Sequence, residues 1–381
     1  MGKISTAIDG SVERFISMAD KKRICTIVCD ITSGGVESVL LNYFSHMDCS
    51  AYDLDLVTYD ISSELCAEKF RKLGFRIIVV PPKRKGFKKS VQQMGRVIRD
   101  GKYDVVHSHL TEWNCVPMFL AWKYGVKIRI SHSHMADFPC GLKRKALFAA
   151  QKMLNRVFAN KYCACGEDAA KYLYGEKMYR NGRVQVLNNA IDVQKFEHNA
   201  AVREEVRGEL GIGESTLCVG HIGRFLEQKN HTFLIDIFAE LVKLHPESCL
   251  LLMGMGELEE QIREKVFNLK LTDQVRFLGV RDDPERIYQA MDIFCLPSLY
   301  EGLPVVGVEV QAAGVPCVMS DRVSSKVKIT PLITMLGLEY SPREWAQALI
   351  QSAQADTERV SFPEEYNIAH TCRQWADLYG G

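Results

Sequence analysis

The 381-residue sequence has no apolar run as long as the roughly 18 residues that a membrane-spanning helix needs. Residues 1–22 also lack the apolar core of a secretory signal. The 13 cysteines include no C-x-x-C pair, and their scattered, odd-numbered distribution argues against a disulfide framework. We therefore expect a cytoplasmic globular protein, and its length predicts two domains of ordinary size.

The net charge is only +1, but the two halves of the chain differ in sign. Acidic residues are scarce in the first half, and basic residues are scarce in the second. Residues 1–190 hold 30 Lys and Arg against 18 Asp and Glu, a net +12, whereas residues 191–381 carry −11. Basic clusters occur at residues 83–89 and 143–145, and the second opens a stretch with helical apolar spacing. Such a face can bind an anionic membrane peripherally, or it can be a solvated face over an ordinary core helix.

Short β-rich segments alternate with helical segments along the whole chain, which indicates an α/β protein with parallel sheets. The first series runs from residues 24–29 to 184–187, and a second begins at residues 217–222. We predict two doubly wound, Rossmann-like domains, residues 1–190 and 191–363, that face each other across a cleft. Ligands of such sheets bind beyond the carboxyl ends of the strands.

Two glutamates, Glu301 and Glu309, stand eight positions apart after a short apolar strand pattern at residues 293–297. Pro304 is typical of the first turn of a helix. Glu301 is therefore expected in a strand-to-helix loop, and Glu309 about two turns further on. The spacing alone is common by chance, but the surrounding Glu-Gly-Leu-Pro and Gly-Val-Pro-Cys-Val segments make it more specific.

Three further glycine-containing loops follow predicted strands: Gly223-Arg224, Gly254-Met-Gly256 and Gly279-Val280. Lys229 follows Arg224 by five positions in a strand-to-helix loop. Two fixed cations there suit a diphosphate, which gains charge when it leaves a sugar. The glycines allow the backbone to approach a ligand.

These segments together resemble the retaining glycosyltransferases of family-4 type, which have the two-domain GT-B architecture. The resemblance covers nearly the whole chain and is most specific between residues 220 and 316. It implies a nucleotide-sugar donor, for which family frequency favours uridine diphosphate, and no required metal or other cofactor. Residues 366–379 carry apolar side chains at helical spacing, among them Ile368, Trp375 and Leu378. The resemblance implies that this terminal helix, within about residues 364–381, crosses back onto the first domain.

The resemblance assigns a role to each matching residue. Arg224 and Lys229 would stabilise the departing diphosphate, Glu309 would hold the ribose hydroxyls, and Glu301 would contact the donor sugar. Backbone at the remaining donor-binding positions would contact the nucleotide, phosphates or sugar: Gly34, Gly35, Gly223, Gly254, Gly256, Val280, Gly302 and Leu303.

The first half contains two His-x-His pairs at predicted strand ends, His107/His109 and His132/His134. The family places a histidine near the transferred sugar, and register leaves His132 or His134, with His132 preferred. His109, His134 and Asn189 are candidates for the acceptor or sugar side. Asn189 replaces the usual hinge glycine, and Asn tolerates a left-handed backbone. The Gly34-Gly35 loop does not match the dinucleotide fingerprint G-x-G-x-x-G.

Residues 324–333 depart from the common family pattern. Together with His132-Ser-His134 and residues 338–346, they look most similar to bacterial capsular and exopolysaccharide transferases. The implied acceptor is a lipid-linked or free saccharide, and no nucleic acid is expected as a partner. Two alternatives stay open. The His-x-His pairs can hold a catalytic metal in a hydrolase, although no metal ligand is expected here, or the protein can bind a nucleotide sugar without transferring it.

Overall fold

The computed structural model describes residues 21–32, 34–135, 142–355 and 361–380, with the backbone alone at residues 142 and 143. The expectation about a secretory signal concerns residues 1–22, nearly all of which lie outside the described ranges. The side chain of Lys143, part of the second basic cluster, also lies outside them.

The first domain is a seven-stranded parallel sheet in the order β3-β2-β1-β4-β5-β6-β7. Its strands are β1 (Lys22–Ile27), β2 (Tyr52–Thr58), β3 (Phe75–Val79), β4 (Val105–Ser108), β5 (Ile128–Ser133), β6 (Lys161–Ala164) and β7 (Gln185–Val186). Its helices are α1 (Gly35–His46), α2 (Glu64–Lys72), α3 (Phe87–Gly101), α4 (Cys115–Lys123), α5 (Leu142–Phe158), α6 (Glu167–Tyr174) and α7 (Glu176–Arg180).

The second domain is a six-stranded parallel sheet in the order β10-β9-β8-β11-β12-β13. Its strands are β8 (Leu217–Ile222), β9 (Ser248–Met253), β10 (Val275–Gly279), β11 (Ile293–Leu296), β12 (Cys317–Ser320) and β13 (Ile333–Leu336). The helices after β7 are α8 (Val193–Phe196), α9 (Ala200–Glu209), α10 (His231–Leu244), α11 (Glu259–Asn268), α12 (Pro284–Ala290), α13 (Val305–Ala312), α14 (Pro342–Ser352) and α15 (Ile368–Leu378).

The predicted class, two parallel-sheet domains with alternating helices, is confirmed. In each sheet the strand order reverses once, between β1 and β4 and between β8 and β11, so a crevice opens at each switch point. The prediction missed β13 and α14. The four-residue β13 follows a polar segment, and it is recognisable mainly by its parallel pairing with β12.

The terminal helix α15 packs against α1 of the first domain. Trp375 is fully buried, stacks on Tyr43 with ring centroids 4.3 Å apart, and donates from Nε1 to the Tyr379 hydroxyl at 2.7 Å. The apolar face that helical spacing predicted, which includes Ile368 and Leu378, is buried. The predicted return of the chain to the first domain is therefore seen.

The outgoing and returning crossings between the domains are hydrogen-bonded to each other. The Ile191 amide donates to the Tyr366 carbonyl at 2.9 Å, and the Ile368 amide donates to the Ile191 carbonyl at 2.9 Å. The Tyr43 hydroxyl donates to the Asn188 carbonyl at 2.9 Å. Helix α1 thus contacts the outgoing chain directly, and it contacts the returning chain through α15.

Within the described ranges, no helix combines the length and the apolar character that crossing a bilayer requires.

Truncating Trp375 tests how far the first domain depends on α15. We expect Trp375→Ala to cost about 3–5 kcal/mol, because a large buried ring leaves a cavity. Thermal unfolding should show a much lower midpoint, whereas Phe267→Ala, at a side chain that is 73% exposed, should change stability by less than about 0.5 kcal/mol. Equal midpoints for the two variants would contradict the packing role.

Candidate functional site

A cleft of about 630 Å³ lies between the carboxyl ends of the two sheets. The first domain contributes the loop after β1 and the start of α1, and the second domain contributes the loops after β8, β9, β10 and β11. Ten residues selected from the sequence line it: Gly34, Gly35, Gly223, Arg224, Lys229, Gly254, Gly256, Val280, Glu301 and Glu309. Loops that are distant in sequence, from both domains, therefore line one cleft.

Lys229 and Glu301 form an ion pair in the cleft, with Nζ 2.6 Å from Oε1. Their side chains are 15% and 11% exposed, so water screens the pair weakly. The Ser298 hydroxyl also donates to Glu301 Oε1, at 3.3 Å. Glu301 thus lies in the predicted strand-to-helix loop and is already held in place by a cation and a hydroxyl.

Arg224 is exposed at the cleft and has no ion pair among the described residues. Its guanidinium is therefore available to an anion. Arginine suits phosphate oxygens because its planar donors bind two of them at once.

Glu37 is a buried acid beneath the glycine loop that the sequence analysis did not select. It accepts hydrogen bonds from the Thr32 hydroxyl at 2.8 Å and from the Gly34 amide at 3.2 Å. Burial raises the pKa of its carboxyl to about 7, although these donors and the nearby Arg224 lower it. A Cβ on Gly34 would lie 2.9 Å from Glu37 Oε2, so Glu37 and the glycine together shape the loop. A Gly-Gly turn followed by an acid in the first helical turn was the available signal.

Glu309 projects from α13 into the cleft and is 8% exposed. The hydroxyl of the buried Tyr288, on α12, donates to Glu309 Oε2 at 2.9 Å. Burial raises the pKa of Glu309 to about 7, opposed by the tyrosine hydrogen bond. The other oxygen, Oε1, has no such side-chain donor in the described structure, which leaves the carboxyl able to accept from a ligand.

Contacts between loops require glycine at both positions after β9, whether or not a ligand also approaches the backbone there. A Cβ on Gly254 would lie 2.1 Å from the Gly223 carbonyl oxygen, and one on Gly256 would lie 2.5 Å from the Phe225 carbonyl oxygen. The loop after β9 therefore presses against the loop that carries Arg224. The sequence analysis explained these glycines by the ligand alone.

Gly302 and Leu303 lie outside the 630 Å³ cleft, at a neighbouring cavity of about 230 Å³. The Leu303 carbonyl accepts from Asn189 Nδ2 at 2.7 Å, which links the two domains. Asn189 does not have the positive φ that its place in the hinge suggested. The structural feature of Asn189 is therefore the hydrogen bond from its side chain to Leu303, not a left-handed backbone. The donor contact of Gly302 and Leu303 stays a prediction.

The four histidines of the first domain cluster at the carboxyl ends of β4 and β5, and none lines the 630 Å³ cleft. His107 and His132 are completely buried and His109 nearly so, whereas His134 is partly exposed. Burial lowers the pKa of each imidazole, that of His134 to about 4. Burial therefore argues against His132 as a sugar contact and favours His134, the alternative that register left open.

Two family models match the chain in succession. Residues 33–195 match the model described as Glycosyltransferase Family 4, and residues 202–360 match the model described as Glycosyl transferases group 1. The matched regions meet at the hinge between the two sheets. The family placed on the sequence by its motifs is thereby found independently in both domains.

Curated relatives and solved structures agree with this result. A Bacillus subtilis (strain 168) protein named "Putative glycosyltransferase EpsF" is 33% identical over 91% of this chain and 92% of its own. An Escherichia coli UDP-Gal:alpha-D-GlcNAc-diphosphoundecaprenol alpha-1,3-galactosyltransferase is 28% identical over 61% of this chain and 62% of its own. The Anabaena HepE structure with UDP and glucose has a TM-score of 0.72 at 18% identity, covering 93% of this chain and 95% of that one.

The raised pKa of Glu309 predicts how its contribution to stability changes with pH. Folding shifts the pKa up from 4.5 to about 7, so this contribution is complete below pH 4.5 and is lost as pH rises through 7. The Glu309→Gln substitution keeps the shape of the side chain and removes its ionisable carboxyl. We expect the variant to be more stable than the parent at pH 8, by roughly 3 kcal/mol, and similar to it at pH 4.5.

Thermal unfolding of both proteins at the two pH values measures this difference. Glu204→Gln, at an exposed glutamate on α9, is the matched control and should show no pH-dependent gain. A gain for Glu309→Gln that is equal at both pH values would contradict ionisation as the cause.

Proposed function

Because this chain belongs to the group 1 glycosyl transferases, we propose that it moves a sugar from a uridine-diphosphate donor to a saccharide acceptor with retention of anomeric configuration. The observation that carries the proposal is the single cleft in which Arg224, the Lys229–Glu301 pair and Glu309 face the glycine loop of the other domain. The UDP and glucose named with the Anabaena structure, and the UDP-Gal named for the Escherichia coli relative, support the choice of donor.

The cleft offers a separate partner for each part of such a donor. The free oxygen of Glu309 would accept from ribose hydroxyls, and the backbone at Val280 would contact the base. Arg224 and Lys229 would bind the diphosphate. Glu301, held by Lys229 and Ser298, would accept from sugar hydroxyls. Gly34 and Gly35 close the site from the first domain.

The Lys229–Glu301 pair has a specific use in this scheme. Without a ligand, each charge compensates the other in a poorly hydrated place, where an unpaired charge is costly. A bound diphosphate would draw Lys229 towards its oxygens, and the sugar hydroxyls would then replace the ammonium at Glu301. Donor binding would thus exchange one set of charge-assisted bonds for another.

Transfer then requires cleavage of the bond between the anomeric carbon and the diphosphate oxygen, which leaves with the electron pair. The acceptor hydroxyl forms the new bond from the same side, and its proton passes to a phosphate oxygen. Arg224 and Lys229 stabilise the negative charge that develops. Glu301 positions the sugar by accepting from its hydroxyls, and it does not act as the nucleophile of the two-carboxylate scheme. No metal is needed for these steps.

His134 is our candidate for the histidine on the sugar or acceptor side. It is partly exposed, and its Nε2 lies 2.8 Å from His109 Nδ1. His109 would therefore orient His134 rather than contact sugar itself. The hydrolase alternative has no support from the family matches, both of which describe glycosyltransferases.

The proposed acceptor is a lipid-linked saccharide of capsule or exopolysaccharide synthesis at the inner face of the cell membrane. The diphosphoundecaprenol in the name of the Escherichia coli relative supports it. The first domain supports it through an apolar-basic face on the adjacent helices α3, α4 and α5. The exposed apolar side chains of this face are Phe87, Phe119, Trp122, Leu147, Met153, Leu154 and Val157, and exposed Lys88, Lys89 and Lys145 lie on the same helices.

Contacts between these helices keep the apolar side chains together. The rings of Phe119 and Trp122 on α4 lie 5.1 and 5.3 Å from that of Phe158 on α5. A bilayer interface suits this combination, because aromatic and aliphatic groups enter it while lysines contact anionic headgroups. Exposed Lys145, from the second basic cluster noted in the sequence at residues 143–145, lies in the first turn of α5.

Replacement of Arg224 tests the transfer mechanism. We expect Arg224→Ala to lower kcat by about 10²–10³-fold, as for the loss of one electrostatic donor to the transition state. UDP release from UDP-glucose and UDP-galactose, with extracted bacterial lipids as acceptor, measures turnover. Arg343→Ala, at an exposed arginine on α14, is the matched control.

Two results would count against the proposal. Equal turnover of Arg224→Ala and Arg343→Ala would contradict the role of Arg224. If UDP-sugars stabilise the parent protein in a thermal-shift assay while no donor yields UDP, that result would favour the alternative in which the protein binds a nucleotide sugar without transferring it.

Vesicle flotation tests the membrane contact. We expect the protein to float with phosphatidylcholine vesicles that contain phosphatidylglycerol, and less so at high salt, since salt screens the lysines. Trp122→Ser with Val157→Ser should weaken binding about tenfold or more. Phe267→Ser, equally apolar and exposed but in the second domain, should bind normally. No salt-sensitive flotation, or equal loss in both variants, would overturn the assignment.

A further inference from the structure

The two His-x-His pairs converge because of strand alternation and register. Residues i and i+2 of a strand point to the same face, so each pair presents both imidazoles on one side. In the parallel pairing of β4 with β5, His107 lies opposite Ile130, which places His109 level with His132. All four rings therefore gather on one face at the carboxyl ends of these neighbouring strands.

Three of these rings bring nitrogens into the range of a shared ligand. One nitrogen from each of His107, His109 and His132 lies within 4.8 Å of the other two. His107 Nε2 is 3.1 Å from His132 Nδ1. Three imidazoles around a tetrahedral zinc-class ion, at Zn–N distances of 2.0–2.1 Å, have nitrogens about 3.3 Å apart. Metal binding would require the rings to rotate until all three separations approach that value.

Two buried nitrogens of the cluster lack a hydrogen-bond partner in the described structure. These are His109 Nε2 and His132 Nε2, on side chains that are 5% and 0% exposed. A buried polar atom without a partner is costly, so it points to a ligand or an ordered water.

The surroundings hold the rings as outer partners of a metal site do. The Tyr379 hydroxyl lies 3.0 Å from His107 Nδ1, which leaves His107 Nε2 facing the cluster. His134 Nε2 likewise lies 2.8 Å from His109 Nδ1, which leaves His109 Nε2 facing the cluster. Trp375 stacks on His109, with ring centroids 6.0 Å apart and an interplanar angle of 6°. Such contacts select the nitrogen that is offered and fix the ring plane.

We propose that His107, His109 and His132 bind one divalent transition-metal ion of the zinc class. None of the three lines the donor cleft, so the ion takes no part in leaving-group stabilisation and is a structural element of the first domain. It joins β4 and β5 to the residues of α15 and its C-terminal end that hold the rings. The sequence analysis considered the His-x-His pairs only as the catalytic metal site of a hydrolase and expected no metal ligand.

The test uses the full chain after chelation and dialysis, with zinc and cobalt ions as probes. We expect one equivalent of zinc to bind in competition with a chromophoric chelator, and to raise the midpoint of thermal unfolding. Cobalt should give the visible absorption of a tetrahedral, nitrogen-ligated site. His109→Gln and His132→Gln should abolish both effects, whereas His370→Gln, exposed on α15, should retain them.

A second readout stands if the histidine variants fail to fold. Cobalt bound at this cluster should quench the fluorescence of Trp375, which contacts three of the rings. Trp375→Phe should then remove most of the quenching while keeping the cobalt absorption. Absence of stoichiometric binding, binding unchanged in His109→Gln and His132→Gln, or quenching that persists in Trp375→Phe would each overturn the proposal.

Discussion

The hydrogen bonds that join the outgoing chain at Ile191 to the returning chain at Tyr366 and Ile368 determine how the two sheets face each other. Two crossings held side by side restrict the relative positions of the domains far more than one flexible linker would. Further contacts close the interface, since Lys326 Nζ lies 2.9 Å from Glu167 Oε2 and Ser324 donates to Asp168 at 2.6 Å. The cleft depends on this arrangement, because each sheet alone supplies one wall.

Residues 324–333, where the sequence departs from the common family pattern, thus include part of this interface. Ser324 and Lys326 contact the start of α6 in the first domain and line the smaller cavity beside the cleft. The departure therefore bears first on how the domains are joined.

The charges of the cleft are held in two different ways. Lys229 and Glu301 are held as an ion pair, whereas Glu37 and Glu309 are buried among hydroxyl and amide donors that only partly offset the desolvation of their carboxylates. A site with both arrangements offers acceptor oxygens and, within the part of the chain that the structure describes, a cation without an ion pair, Arg224. This is a physical basis for binding a donor that combines hydroxyls with a diphosphate.

The motifs of the second domain were readable from sequence because they are short and local. A strand, a glycine turn and a cation or acid at fixed spacing specify a loop at the carboxyl end of that strand, and eight selected residues of this domain do line the cleft. Sequence also determined the fold class, through alternating strands and helices and the amphipathic last helix. Tertiary structure alone decided the contacts between distant segments: Tyr288 on Glu309, Asn189 on Leu303, and the convergence of the histidine pairs. Periodicity reports which face a residue occupies, but strand register and domain docking determine which residue lies opposite it.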